Sequence, residues 1–272
     1  MACNHNCSSC SDNNCKDRKS FIETPKPSTK IGKMYAVVSG KGGVGKSLVT
    51  SLLAVASNKK GLKTAIMDAD VTGPSIPKTF GLGANDRAQG SDEGLFPVQT
   101  KNGIKIMSIN LLLEEETMPV VWRGPVISGV VKQFYTDVLW GENDVMFIDM
   151  PPGTGDVPLT VFQSLPIDGI IIVTTPQDLV GMIVDKAVNM AKMMNIPVLG
   201  LVENMSYITC ENCGEKSYIF GKGKTSEKAK QFGIEFLGEL PINVKIRELV
   251  DAGDIENADV TAFSLILDKI GV

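Results

Sequence analysis

An α/β fold, with a doubly wound, mostly parallel sheet and helices on both faces, is predicted by three features of the 272-residue sequence. Short apolar runs alternate with helical segments from Lys33 onward, the pattern of repeated strand–helix units in a three-layer α/β/α domain. The octet Gly40-Lys41-Gly42-Gly43-Val44-Gly45-Lys46-Ser47 fits the phosphate-binding pattern G-x-x-x-x-G-K-[ST]. Its flanks are the right ones. The apolar run 34–38 before it reads as a buried strand, and the segment 46–59 after it reads as a helix with Leu48, Leu52, Val55 and Ala56 on one face.

The other elements follow in order. Residues 64–67 read as a second strand, ending in Asp68-Ala69-Asp70, and 95–112 as a hairpin around Asn102-Gly103. A helix near 125–139 leads to a buried strand at 145–148. Strands at 169–173 and 198–202 bracket a helix over 179–194. A last strand, 236–240, precedes helical patterns at 243–251 and 259–270. Residues 1–32 read as a cysteine-rich tail and linker, with Thr24-Pro25-Lys26-Pro27-Ser28 extended, ahead of a single domain over 33–272.

Charge and hydropathy narrow the function classes. The net charge is −4 and no basic stretch stands out, which argues against nucleic acid as a partner. The first thirty residues lack the apolar segment of a secretory signal. No apolar run approaches the roughly 18–20 residues needed to span a bilayer, so the expected location is the cytoplasm, away from membranes.

The phosphate loop carries its own chemistry. Glycines let successive backbone N–H groups turn toward phosphate oxygens, and a helix N-terminus favours anions. Lys46 is expected to reach the β- and γ-phosphates, and Ser47 to place its hydroxyl on Mg²⁺. Asp149 follows the strand 145–148, where a nucleotide hydrolase carries the carboxylate that orders the Mg²⁺ shell. In the loop Met150-Pro151-Pro152-Gly153-Thr154-Gly155-Asp156, Gly153 is placed to offer an N–H to the γ-phosphate. Asp68 and Asp70 close the second strand on the same sheet edge, where parallel sheets bind ligands. Asp70, nearer the loop 71–75, takes the water-positioning role, and Asp68 a metal-side or structural one.

Six cysteines lie outside this core. Cys3, Cys7, Cys10 and Cys15 crowd the tail, and Cys210 and Cys213 form an isolated C-x-x-C. In a reducing compartment such groups read as metal ligands or redox centres before disulfides. A [4Fe–4S] cluster or a structural Zn²⁺ normally takes four protein ligands. Cys210 and Cys213 therefore need partners, either from the tail or from a second copy related by a two-fold axis. A zinc knuckle and a redox pair stand as the other readings. The tail is self-sufficient in count for a cluster or for Zn²⁺, with His5 able to stand in at one position.

Taken together, Lys41-Gly42-Gly43-Val44-Gly45-Lys46-Ser47, Asp68-Ala69-Asp70-Val71-Thr72-Gly73-Pro74-Ser75, Asp149-Met150-Pro151-Pro152-Gly153-Thr154-Gly155-Asp156 and Val202-Glu203-Asn204-Met205-Ser206 resemble the Mrp/ApbC branch of the MinD/nitrogenase-iron-protein class of P-loop ATPases. The resemblance covers residues 33–270. It implies an ATP-binding homodimer in which Lys41 reaches the partner's nucleotide, adenine recognition by Asn204, and a cluster bridged between chains on Cys210 and Cys213. It further implies slow, Mg²⁺-dependent ATP hydrolysis and delivery of a [4Fe–4S] cluster to apo-proteins. The chain departs from the branch in having Glu211 where proline is common, and a cysteine-rich tail where many bacterial members carry a small domain. Two other functions share the class. A MinD-like positioning ATPase needs a basic amphipathic C-terminal helix, which residues 259–270 do not supply. An electron donor of the nitrogenase-iron-protein type should carry its two cluster cysteines on separate loops.

Overall fold

The computed structural model describes residues 21–83, 85–113, 122–177 and 180–272, and the tail cysteines Cys3, Cys7, Cys10 and Cys15 lie outside them. Strand β1 (Lys30–Val38) passes through the phosphate loop into α1 (Lys46–Lys59), followed by β2 (Thr64–Asp68) and a short α2 (Ile76–Thr79). Two small hairpins come next, β3 (Gly90–Ser91) with β4 (Gly94–Leu95), and β5 (Val98–Gln99) with β6 (Lys105–Met107). Then come α3 (Gly124–Thr136), β7 (Glu142–Asp149), α4 (Asp156–Ser164), β8 (Gly169–Thr174), α5 (Val180–Met193) and β9 (Val198–Thr209). The chain closes with β10 (Lys216–Ser217), α6 (Thr225–Phe232), β11 (Phe236–Pro241), α7 (Val244–Asp251) and α8 (Thr261–Ile270).

The main sheet runs β10-β9-β8-β1-β7-β2-β6-β5, with β11 added in parallel on β9. Only β5 and β10 pair antiparallel with their neighbours. Period-two alternation builds a core on each face. Met34, Ala36 and Val38 of β1, with Met146 and Ile148 of β7, pack against Val131 and Phe134 of α3, Val161 of α4 and Val188 of α5. Tyr35 and Val37, with Val145 and Phe147, meet Leu52 and Val55 of α1 and Phe263 and Leu267 of α8. A sheet buried on both faces reads as continuous apolar runs, which is why strands 145–148 and 169–173 were legible.

The structure redraws three boundaries. Strand β1 begins at Lys30 rather than after residue 32, because Lys30 and Ile31 pair with Glu142 and Asn143 of β7. The linker is also tied down earlier, where the Glu23 N–H donates to Ser164 O at 2.8 Å. Strand β9 does not stop at residue 202 but continues to Thr209. Its ladder with β11 is irregular: Glu239 pairs with Glu203, yet Pro241 pairs with Tyr207. Two residues of β11 thus oppose four of β9, and Met205, at a φ of 56°, makes the bulge in between. A left-handed conformation at a bulky residue costs on the order of 1–3 kcal/mol and persists only where its surroundings hold it.

Candidate functional site

The loops after β1, β2 and β7 meet at the carboxyl edge of the sheet, as a parallel arrangement requires. Gly45 stands before α1 in the left-handed region (φ 79°), and no side chain caps the helix. The first-turn N–H groups of α1 are therefore uncapped, with no acidic residue in that turn to compete for them. Only glycine fits at position 45, since a Cβ there would collide with the Asn204 side-chain amide.

Lys46 is buried, and its Nζ lies 2.7 Å from Asp149 Oδ1 and 3.8 Å from Asp70 Oδ2. Asp149 is wholly buried and also accepts from Ser47 Oγ at 2.6 Å and Thr50 Oγ1 at 2.9 Å. Asp68, behind it, accepts from Ser108 Oγ at 2.9 Å and from the Asp70 N–H at 3.1 Å. Burial, with the Asp149 charge beside it, pushes the Asp68 carboxyl well above the ordinary carboxylate range. Burial likewise raises Asp70, against the pull of Lys46. Three carboxylates around one ammonium is an arrangement short of positive charge. The Ser47 hydroxyl and the Asp149 carboxylate form an all-oxygen donor pair of the kind Mg²⁺ takes alongside substrate phosphates, so these residues fit that ion.

Of the two roles expected for Asp68, metal-side or structural, its contacts match the structural one: it does not open toward the phosphate loop. Both its oxygens are occupied within the protein, so it braces Asp70 and Ser108 rather than meeting a ligand. The Gly153 N–H is not free either, since it donates to Ser39 O at 2.8 Å and ties the loop after β7 to the loop after β1. Lys41 is held in its own chain by a hydrogen bond from its Nζ to Gln177 Oε1.

A cavity of about 600 Å³ extends from the phosphate loop. One wall is Lys41–Leu48 with Asp70 and Pro152; the other is Asn204, Met205 and Phe220 with the turn from Pro241 into α7. Asn204 is fixed by donating from Nδ2 to Val44 O at 2.9 Å, and its Oδ1 has no hydrogen-bond partner among the described residues. The bulge at Met205 lets Asn204 leave the strand ladder and reach the phosphate loop.

Cys210 and Cys213 occupy the turn between β9 and β10, and both are exposed. The turn is closed by the Cys210 N–H donating to Glu215 O at 2.9 Å and the Gly214 N–H donating to Cys210 O at 2.8 Å. The backbone N–H groups of Cys213 and Asn212, then the Cys213 thiol, hold the Cys210 thiol below its ordinary range. N–H groups aimed at a sulfur favour the thiolate, the form that binds metal. Among the described residues, no group of three His, Cys, Asp or Glu side chains is arranged to hold a metal.

Residues 30–270 match the ParA family, described as the NUBPL iron-transfer P-loop NTPase. The chain belongs to this family. An iron–sulfur cluster carrier protein of Methanocaldococcus jannaschii is 47% identical over 258 residues, covering 92% of this chain and 89% of that one. A protein of the same name in Clostridium perfringens is 47% identical over 88% and 87% of the two chains. A nucleotide-binding protein of Archaeoglobus fulgidus, solved in complex with ADP, superposes with a TM-score of 0.75 at 49% identity, over 84% of this chain and 89% of that one. The MinD cell-division ATPase of Pyrococcus furiosus shares the fold, with a TM-score of 0.62 at 20% identity over 88% and 98% of the chains.

In this NUBPL-type NTPase the least legible part of the site is the far wall of the cavity. Ile242, Asn243, Val244 and Arg247 carry no motif, and they reach the pocket because β11 docks beside β9. One local signal exists: Asn243 is an N-cap, its Oδ1 accepting from the Lys245 and Ile246 N–H groups at 2.9 and 3.3 Å.

Proposed function

We propose that the chain is an ATPase that binds an iron–sulfur cluster on Cys210 and Cys213 of two copies and hands it to apo-proteins. The observation that carries this reading is strand β9, which holds Asn204 in the cavity and ends beside Cys210. The names of the Methanocaldococcus and Clostridium relatives support the cargo, and the ADP-bound Archaeoglobus protein supports the nucleotide. Lys46, Ser47 and the loop N–H groups bind the phosphates, Asp149 orders the Mg²⁺ shell, and Asp70 orients the attacking water. Turnover is slow, because hydrolysis gates a change in the dimer rather than supplying flux. The chain is one ATPase domain behind a cysteine-rich tail and works in the cytoplasm. No helix among the described residues is long and apolar enough to cross a membrane.

The Asn204 amide sets base choice. With Nδ2 committed to Val44 O, Oδ1 accepts from the exocyclic amine of adenine, where guanine presents a carbonyl oxygen. ATP is expected to bind at least about tenfold more tightly than GTP, a difference of about 1.4 kcal/mol. Equal affinities in a competition titration would remove Asn204 from this role.

Lys41 acts in the partner's site. Lys41→Ala is expected to bind ATP normally and to hydrolyse it at least about tenfold more slowly. Full activity would show that its contact with Gln177 is all it does.

The cargo is tested by anaerobic reconstitution of a chain lacking residues 1–20. About one four-iron cluster per dimer is expected, since four thiolates complete the site. Stoichiometric zinc in a colourless protein would establish a zinc knuckle instead. A metal-free protein would end the reading in which two copies bridge the cluster and would leave the tail as the source of the missing ligands.

A further inference from the structure

The cysteine turn has little of its own to hold it in place. Its return strand β10 is two residues long, and a two-stranded ribbon of that size is marginal in water. Its return arm is tied to the body of the sheet by side-chain bonds to a carboxylate on the neighbouring strand. Glu239 Oε1 accepts from Lys216 Nζ at 2.8 Å and from the Tyr218 hydroxyl at 3.2 Å. The same Lys216 ammonium sits 3.9 Å from the centroid of the Tyr207 ring, which in turn packs against Tyr218 at 5.9 Å. The return strand and the residue after it therefore reach Glu239 directly, and Tyr207 of β9 reaches it through Lys216.

Glu239 is also next to the cavity. Two residues on, Pro241 begins the turn into α7 that forms the far wall, and the Ile242 N–H donates to Tyr207 O at 2.8 Å. On the other side, Phe220 enters the cavity wall from the chain that has just left the cysteine turn, and about half of its surface is exposed. A ligand filling the cavity touches Phe220, two residues after Tyr218, and Pro241, two residues after Glu239, so it contacts the chain on both sides of the Tyr218–Glu239 hydrogen bond. A ligand that binds one arrangement of these contacts better than another shifts the population toward it.

We infer that Glu239 is the positioning residue through which occupancy of the nucleotide cavity sets the geometry of the Cys210–Cys213 turn. This rests on the cavity being the nucleotide site, but not on the cysteines being loaded. The reaction of ATP is untouched, because Glu239 lies outside the cavity wall and the phosphate loop.

The test follows thiol alkylation by iodoacetamide in the full-length chain, with Cys210 and Cys213 resolved by peptide mass spectrometry. It is run with and without a non-hydrolysable ATP analogue and Mg²⁺. In the unmutated protein the analogue is expected to slow alkylation of the pair by at least about threefold. In Glu239→Gln that ratio is expected to fall to near one, with the affinity for the analogue unchanged. Tyr218→Phe, which removes one of the two donors, is expected to give an intermediate ratio. A merely structural role would raise alkylation equally with and without nucleotide and leave the ratio intact, which overturns the inference. So does an unmutated protein that binds the analogue yet alkylates at one rate throughout. Failure to hold iron counts against the carrier reading alone, because the alkylation rates are measured on free thiols.

Discussion

Lys46→Ala is expected to reduce ATP hydrolysis below detection, a fall of at least about a thousandfold, or roughly 4 kcal/mol of transition-state stabilisation. Lys46 is the only cation within ion-pair reach of Asp149 and Asp70 among the described residues, and it is 6% exposed. Truncation removes the charge aimed at the β- and γ-phosphates. It also leaves Asp149 buried with only the Ser47 and Thr50 hydroxyls as partners. Losing one partner of a buried ion pair costs about 3–5 kcal/mol, which the thermal transition of the variant reads directly. The fold survives, because Lys46 stands at the first position of α1 and the core side of that helix is Leu52, Leu53 and Val55. Phosphate release under single-turnover conditions, with a cooperative thermal transition as the folding control, decides it. Hydrolysis within tenfold of the unmutated rate would mean the cavity is not where ATP reacts.

Cys210→Ala in the chain lacking residues 1–20 is expected to lose the reconstituted cluster, with iron falling to less than about a tenth, because two thiolates cannot hold four irons. Nucleotide affinity should stay within about twofold, a change well under 1 kcal/mol. The reasoning is local. The bonds that close the turn use the backbone of Cys210, not its sulfur, so the turn persists after truncation. Visible absorption with iron and sulfide counts reads the first effect, and a binding titration the second. Undiminished iron would place the cargo elsewhere in the chain.

The phosphate loop was legible because its conformation is dictated residue by residue: Gly45 must adopt a positive φ and leave room for Asn204. The central strands were legible because burial on both faces leaves the runs 145–148 and 169–173 without a polar side chain. Strand β9 was misjudged for the opposite reason. Glu203, Asn204 and Ser206 are polar yet buried, the first and last satisfying each other across the bulge and Asn204 through a distant partner. Ser206 Oγ bonds Glu203 Oε1 at 2.7 Å, and Asn204 reaches Val44 from 160 residues away. Helix α6 was not foreseen because Thr225 and Ala229 are its only buried residues, set among three lysine or glutamate positions. Helix α4 was hidden by the glycines and prolines that precede Asp156, which read as a turn. Asp68 illustrates a different limit. A carboxylate at a strand end looks the same in sequence whether it faces a ligand or a neighbouring serine.

The bulge at Met205 gives β9 the mechanics of a lever. From Asn204 to Cys210 the extended chain spans about 20 Å at roughly 3.3 Å per residue. A rotation of only about 3° at the fulcrum therefore displaces the thiols by about 1 Å, whereas metal–ligand distances tolerate only about ±0.2 Å. If two such arms meet across a two-fold axis, they swing in opposite senses, so the gap between the paired thiols changes by up to twice the movement of either arm. Grip and release would then differ by a motion too small to disturb the packed core, with the left-handed Met205 (φ 56°) as its pivot.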